Sequence, residues 1–224
     1  MLVDYQILVD SLVRDDASAI NVTERDIAIG LAVSRYSKDR PQTKVEDLTA
    51  PGGQTLALPA AWESGFSGLQ SLEYPVGNVP PSMISPGAWG IYNAPGTQQI
   101  MVQASLPASA TVRASFTVQH VLDDVTDTID IVDREPVASY AAAILCDQLA
   151  SLYSGDSDST IQADSVDHQS KAREFSSRAK TLRKRYYDEL GIDPKRNVAA
   201  GVVVDLDLSN SLGNDRLLHP GRRR

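Results

Sequence analysis

Apolar residues recur at helical spacing in four stretches of the chain, and between the second and third stretches they alternate instead. Over residues 3–14, Tyr5, Leu8, Val9 and Leu12 fall at i, i+3, i+4 and i+7, one stripe of an amphipathic helix. A second helix is predicted from Thr23, whose hydroxyl can accept from the Asp26 backbone N–H, with Glu24 and Asp26 in the electropositive first turn. Its expected inward face is Ile27 and Leu31 together with the row Ala28, Ala32 and Tyr36. Pro41 disfavours helical geometry at Arg40 and ends it.

Residues 41–107 are punctuated by Pro and Gly too densely for a long helix. Strands are predicted at 55–58, 88–92, 99–104 and 111–121, with Asn93-Ala94-Pro95-Gly96 turning the second into the third. In the last strand Val112, Ala114, Phe116, Val118 and His120 alternate with polar residues, which gives one buried face. The region reads as an antiparallel sheet, not a βαβ unit.

A third helix is predicted over 136–153, with Pro136 in its first turn. Its face is small, with Ala138, Ala141, Ala142, Ala143 and Ala150 beside Ile144, Leu145, Leu149 and Leu152, so a neighbouring helix can approach closely. After a polar loop at 154–163, Asp164 or Ser165 can cap a fourth helix. Its stripe, Ala172, Phe175, Ala179, Leu182 and Tyr186, has a/d spacing, and Gly191 is placed to stop it. Helices three and four are expected to form an antiparallel hairpin. Residues 198–208 read as a strand and 209–224 as a polar, basic tail. The fold class expected is α+β: a helical core (1–40 and 136–196) with a long C-terminal hairpin, an antiparallel β-rich insert (41–135) and a C-terminal strand and tail (197–224).

The 224 residues are 42% hydrophobic and 22% charged, ordinary globular usage, and a chain of this length buries roughly 70% of its unfolded surface. No disulfide staple is needed, and the single Cys146, set among alanines and leucines, reads as an inert buried thiol. No apolar run reaches the ~18 residues of a membrane span, and acids stand where a signal peptide needs a basic flank, so synthesis in the cytoplasm is expected.

The net charge of −8 argues against wholesale coating of nucleic acid. It hides an asymmetry. Residues 121–160 hold nine acids and one cation, Arg134, whereas residues 171–196 hold nine cations and four acids. Opposite poles suit self-association, in which complementary charge sets register; the bland reading is two solvated faces.

Phosphate-loop, dinucleotide, zinc-helix and nucleophile-elbow motifs are missing, and His120, His168 and His219 have no ligand spacing. The run Asp123, Asp124, Asp127, Asp130 and Asp133 could gather a hard cation, as could Asp156 and Asp158, but lacks the glycine and terminal glutamate of a calcium loop. Lys171, Arg178 and Arg185 recur at seven-residue steps, a line about 21 Å long on a helix. Such a line can track phosphates, though Phe175 and Tyr186 belong to the apolar stripe and leave no base-stacking platform. No catalytic residue, cofactor or metal is expected.

The second helix, Thr23-Glu24-Arg25-Asp26-Ile27-Ala28-Ile29 through Ser34-Arg35-Tyr36-Ser37-Lys38-Asp39-Arg40-Pro41, resembles the opening of head-tail connector (adaptor) proteins of tailed bacteriophages. The hairpin from Ala141-Ala142-Ala143-Ile144-Leu145-Cys146 to Tyr186-Tyr187 is similar to that family's long final pair. The resemblance implies a non-enzymatic virion protein that forms a homo-oligomeric ring, often of twelve copies. The ring would dock beneath the portal protein at the capsid vertex, with duplex DNA passing through its lumen and the next neck or tail protein below. It also implies that the C-terminal segment, including Arg222, Arg223 and Arg224, reaches the portal or a neighbour. On this reading Asp123, Asp127, Asp130 and Asp133 of one subunit face Lys171, Arg178 and Arg185 of the next. The alternatives are another neck or tail-completion protein, a DNA-binding packaging factor using the Lys171–Arg185 line, and a cation-dependent enzyme using the acidic run.

Overall fold

The structure is a computed structural model and describes residues 1–14, 18–155 and 168–194. Among the described residues four helices, α1 (Leu2–Val13), α2 (Val22–Asp39), α3 (Arg134–Gly155) and α4 (His168–Leu190), accompany six strands. The strands are β1 (Gln42–Thr49), β2 (Gly53–Ala57), β3 (Leu69–Glu73), β4 (Trp89–Ala94), β5 (Thr97–Leu106) and β6 (Thr111–Val118), so the fold is α+β. The chain divides into two compact units. A helical unit takes Met1–Val45, Ala60–Gln70 and the chain from Ser115 to the end of α4; a β unit takes Glu46–Pro59 and Ser71–Ala114.

In the helical unit, Ala138, Ala141, Ala142 and Ala143 of α3 are buried together with Leu145, Cys146 and Leu149. Ala179, Leu182, Tyr186 and Leu190 of α4 pack into the same core, and Phe175 lies partly buried against it. The ring of Tyr140 lies 4.8 Å from that of Tyr186, and Tyr153 stacks at 5.6 Å on Phe175. Later residues of α3 therefore meet earlier residues of α4, the antiparallel hairpin expected from the two stripes. Each leucine so buried contributes about 2 kcal/mol. Gly191 ends α4 with φ of +67°, a backbone conformation that glycine adopts without a steric penalty. Tyr5, Val9 and Val13 of α1 are buried, with Leu8 and Leu12 half-covered, as the α1 stripe requires.

Two expectations for α2 are corrected. Its N-cap is Asn21, not Thr23: the Asn21 side-chain oxygen accepts from the Glu24 N–H at 2.9 Å, and the Glu24 carboxylate accepts from the Asn21 N–H at 2.9 Å. This reciprocal box satisfies two free donors where Thr23 would satisfy one. Ile27 and Leu31 do not face inward; they are 56% and 52% exposed. The buried face is Ala28, Ile29, Ala32, Val33 and Tyr36. Residues 27 and 31 stand about 100° round the helix from 28 and 32 and point away. Leu152 of α3, expected on the inner face, is likewise exposed.

In the β unit, β4 and β5 pair antiparallel from Trp89↔Val102 to Ala94↔Thr97, closed by Pro95-Gly96 with Gly96 at φ +81°. Proline followed by a positive-φ glycine is the chemistry of a type II turn. β2 pairs antiparallel with β5 on the other side, giving the order β2-β5-β4. The second sheet has the order β1-β6-β3, and Val112, Ala114, Phe116 and Val118 of β6 alternate inward as expected. β6 stops at Val118, short of residue 121, because side chains replace the ladder: Gln119 N–H donates to the Glu63 carboxylate and His120 N–H to Ser37 Oγ, both at 2.9 Å. β1 and β3 were not among the expected strands; β1 carries Lys44, Glu46 and Asp47, which mask its period. The caps proposed at Asp164 or Ser165, Asp156 and Asp158, and the strand at 198–208 lie outside the described residues.

Candidate subunit interface

The acidic run folds into a loop that consumes most of its own carboxylates. Leu122 and Asp127 form an antiparallel bridge, with Asp123 N–H donating to Thr126 O at 2.8 Å and Thr128 N–H to Val121 O at 3.1 Å. The Asp123 carboxylate accepts from the Thr126 N–H at 2.5 Å and the Val125 N–H at 2.7 Å, and these bonds, Thr126 first, hold its carboxyl below the usual range. Asp127, whose side chain is only 3% exposed, accepts from Arg134 Nη2 at 2.9 Å and from the Ile129 N–H at 3.0 Å. Asp133 is buried and accepts from Tyr36 Oη at 2.6 Å and Arg40 Nη1 at 2.8 Å. Burial, then the bond to Asp133, pushes the Tyr36 phenol well above its ordinary value. Asp124 and Asp130 remain exposed.

What this stretch presents outward is apolar. Val125, Ile131 and Val132 are 80%, 78% and 80% exposed, the last two adjacent in sequence just before α3. Sequence reasoning missed them because the acids around them dominate the reading. The available signal was that Ile131 and Val132 are adjacent among acids, with no helical or strand period that could bury both.

The basic line is also engaged within the chain. Arg178 donates from Nη1 to the Val13 carbonyl at 2.8 Å, pairs with Glu174 at 3.2 Å and lies over the Phe175 ring at 5.6 Å. Arg185 bridges Glu189 at 2.7 Å and Glu135 in the first turn of α3. Lys171 sits 5.5 Å from the Tyr153 ring centroid. These contacts fasten α4 to α1 and α3, and they occupy the guanidinium groups that a phosphate-tracking line would need. Arg222, Arg223 and Arg224 lie outside the described residues.

His120 places its two ring nitrogens 3.0 Å from Thr128 O and 2.9 Å from Arg40 O, and its ring lies 4.8 Å from that of Tyr36. Burial pushes the Cys146 thiol up to about 11, away from the reactive thiolate range. Among the described residues no group of three or more His, Cys, Asp or Glu side chains is placed to hold a metal ion. Nor is any described helix long and apolar enough to cross a membrane.

Among the described residues the helical unit thus exposes apolar side chains at several unlike places: Val3 and Ile7 on α1, Ile27 and Leu31 on α2, and Val125, Ile131 and Val132 before α3. No protein-family model matches the chain, and no curated protein matches it.

Proposed function

We propose that this chain is a structural virion protein, a head-tail connector (adaptor) subunit that assembles with its own copies into a ring between portal vertex and tail, around the DNA conduit. The observation that carries the reading is that the helical unit exposes apolar side chains at unlike places, among them Ile27 and Leu31 on α2 and Ile131 and Val132 before α3. A contact between two different faces of identical subunits is heterologous, and it closes into a ring when the rotation between neighbours permits. Exposed Asp124 and Asp130 flank one face, while exposed Lys38 lies two turns along α2 from Leu31, so opposite charges can set the register of an otherwise non-directional contact. Asp127, Asp133, Arg178 and Arg185 act within the subunit in this reading, and Arg222, Arg223 and Arg224 serve the portal. The resemblance in α2 and in the α3–α4 hairpin supports the same assignment.

Native mass spectrometry of the full chain tests it. Wild type is expected at multiples of 24.2 kDa and the double variant Ile27→Lys/Leu31→Lys at the monomer mass, with an unchanged melting profile because both positions are already exposed. Unchanged assembly of the variant refutes the contact. Purified virions lacking the polypeptide refute the virion role.

A further inference from the structure

Between Glu73 and Arg113 the chain contains no Asp, Glu, Lys, Arg or His, and no charged residue stands on β2, β4 or β5. Copies of a chain with net charge −8 can therefore meet on this sheet without like charges facing each other. The sheet ends on β4, which among the described residues pairs only with β5, so its outward backbone N–H and C=O groups have no strand beside them. Edge strands are normally guarded by charges, proline, bulges or a covering segment. The other three edges are guarded: β1 by Lys44, Glu46 and Asp47, β2 by a bulge between Gly53 and Thr55, and β3 by Tyr74 N–H to Ser82 O at 2.9 Å and Ile84 N–H to Leu72 O at 2.8 Å. β4 has no charge, no internal proline and an unbroken six-residue register.

Its side chains define what fits beside it. Trp89 and Ile91 stand opposite the fully buried Val102 and Ile100, whereas Gly90 and Tyr92 stand opposite Met101 and Gln99 on the outer face. Gly90 leaves a gap in that face. No atom lies within 4 Å of where a Cβ on residue 90 would stand, and a cleft of about 420 Å³ opens there, lined by Trp89, Gly90, Tyr92, Met101 and Gln103. A glycine inside a strand forfeits cross-strand packing, and an aromatic ring on the adjacent strand restores it by lying over the bare backbone. Met101 already occupies the β5 side of Gly90, so the side left for a ring is the open edge. Trp89 adds a second demand, since its buried indole N–H has no acceptor among the described residues. The edge therefore fits an uncharged extended strand with an aromatic side chain opposite Gly90 and an oxygen acceptor beside Trp89.

β4 itself is such a strand. Two copies of Trp89–Ala94 laid antiparallel about a two-fold axis through Ile91 pair Ile91 with Ile91, Gly90 with Tyr92 and Trp89 with Asn93. Each copy then lays its Tyr92 over the Gly90 of the other and sets its Asn93 beside the other's Trp89. Paired positions share a face of the sheet, so Trp89 and Ile91 of both copies stay on one side and Tyr92 of both on the other. We infer that two copies of this chain join through their β4 edges in this register, making one six-stranded sheet of order β2-β5-β4-β4-β5-β2. The contact is isologous, so it joins two subunits and stops. It lies wholly in the β unit and rests on no contact of the helical unit, and so stands apart from the ring reading. Six residues a side cover less than the roughly 800 Å² per partner of a standard interface, so the pair has a Kd on the order of 0.1 mM and is absent from dilute samples.

Analytical ultracentrifugation of the full-length Ile27→Lys/Leu31→Lys variant tests this apart from ring formation. Its mass is expected to move from 24.2 kDa toward twice that value between about 5 μM and about 500 μM. A monomer at every concentration refutes the pairing. In the same background Tyr92→Lys and Tyr92→Glu, at a position already 48% exposed, should each weaken association at least tenfold, because the two Tyr92 positions are diagonal neighbours across the axis. An equimolar mixture of the two should restore it. Association that survives either variant, or that does not return in the mixture, overturns the β4–β4 contact. The register is read by cross-linking with the buried Cys146 replaced by alanine. Ile91→Cys, on the axis, should form a disulfide-linked dimer at least tenfold faster than Thr97→Cys, beyond the turn on β5, and equal rates refute the register.

Discussion

Removing the Asp133 carboxylate should destabilise the helical unit by an amount set by which of its partners can turn to water. The side chain is 7% exposed and accepts from Tyr36 Oη at 2.6 Å and Arg40 Nη1 at 2.8 Å. Hydrogen bonds to a charged group are worth about 1.5–3 kcal/mol, and a buried hydroxyl stripped of its acceptor bears most of that loss. Tyr36 is fully buried and has no alternative, whereas Arg40 is about half exposed and keeps its bond to the Leu190 carbonyl at 2.9 Å, so its share is under about 1 kcal/mol. Asp133→Ala is therefore expected to cost about 2–3 kcal/mol and Tyr36→Phe about 1–1.5 kcal/mol. The double variant should cost less than the sum, with a coupling of about 1–2 kcal/mol. Urea unfolding followed by far-ultraviolet circular dichroism reads this out, because all four helices lie in one unit. Additive single and double variants would show that Tyr36 and Asp133 do not depend on each other, and would refute the reasoning.

Three further outcomes follow from local geometry. Gly191→Ala places a Cβ on a φ of +67° with no atom within 4 Å to clash, so the penalty is backbone strain alone, about 1 kcal/mol and a melting shift of about 3 °C by calorimetry. Asp123 has a lowered folded-state pKa, so the stability it adds is present above the ordinary carboxylate range of about 4 and is lost as pH falls through the folded value. The stability gap between wild type and Asp123→Ala, measured by denaturant titration across pH, should close on acidification; a gap that widens would reverse the sign. Cys146, buried with its thiol pushed up to about 11, should react with a disulfide reagent at least tenfold faster in denaturant than in the native protein, by a spectrophotometric thiol assay.

The helices were legible because each keeps one apolar stripe over several turns, and the error in α2 marks where that signal fails. Ile27 and Leu31 are larger and more apolar than Ala28 and Ala32, so hydropathy alone turns them inward. The α3 face is itself built of alanines, however, and close helix approach selects the small residues of α2 to meet it. In the acidic run, charge was legible but direction was not. Asp127 turns to Arg134, seven residues on, and Asp133 to Arg40, 93 positions away, a partner that only the tertiary fold brings beside it. Strands β2, β4, β5 and β6 were visible from alternation and turn residues, whereas β1 carries charges at successive positions and shows no period. Arg178 looked like one rung of a free cationic line; its bond to the Val13 carbonyl joins residues 165 apart and has no trace in local pattern.

The chain passes between its two units four times among the described residues, at Val45/Glu46, Pro59/Ala60, Gln70/Ser71 and Ala114/Ser115. A protease that nicks any one of these crossings leaves at least three covalent connections, so limited digestion should yield fragments that stay together until denatured. Neither unit can be lifted out by shortening the gene from one end. Dissecting this protein calls for joining distant segments with new linkers, not for truncation.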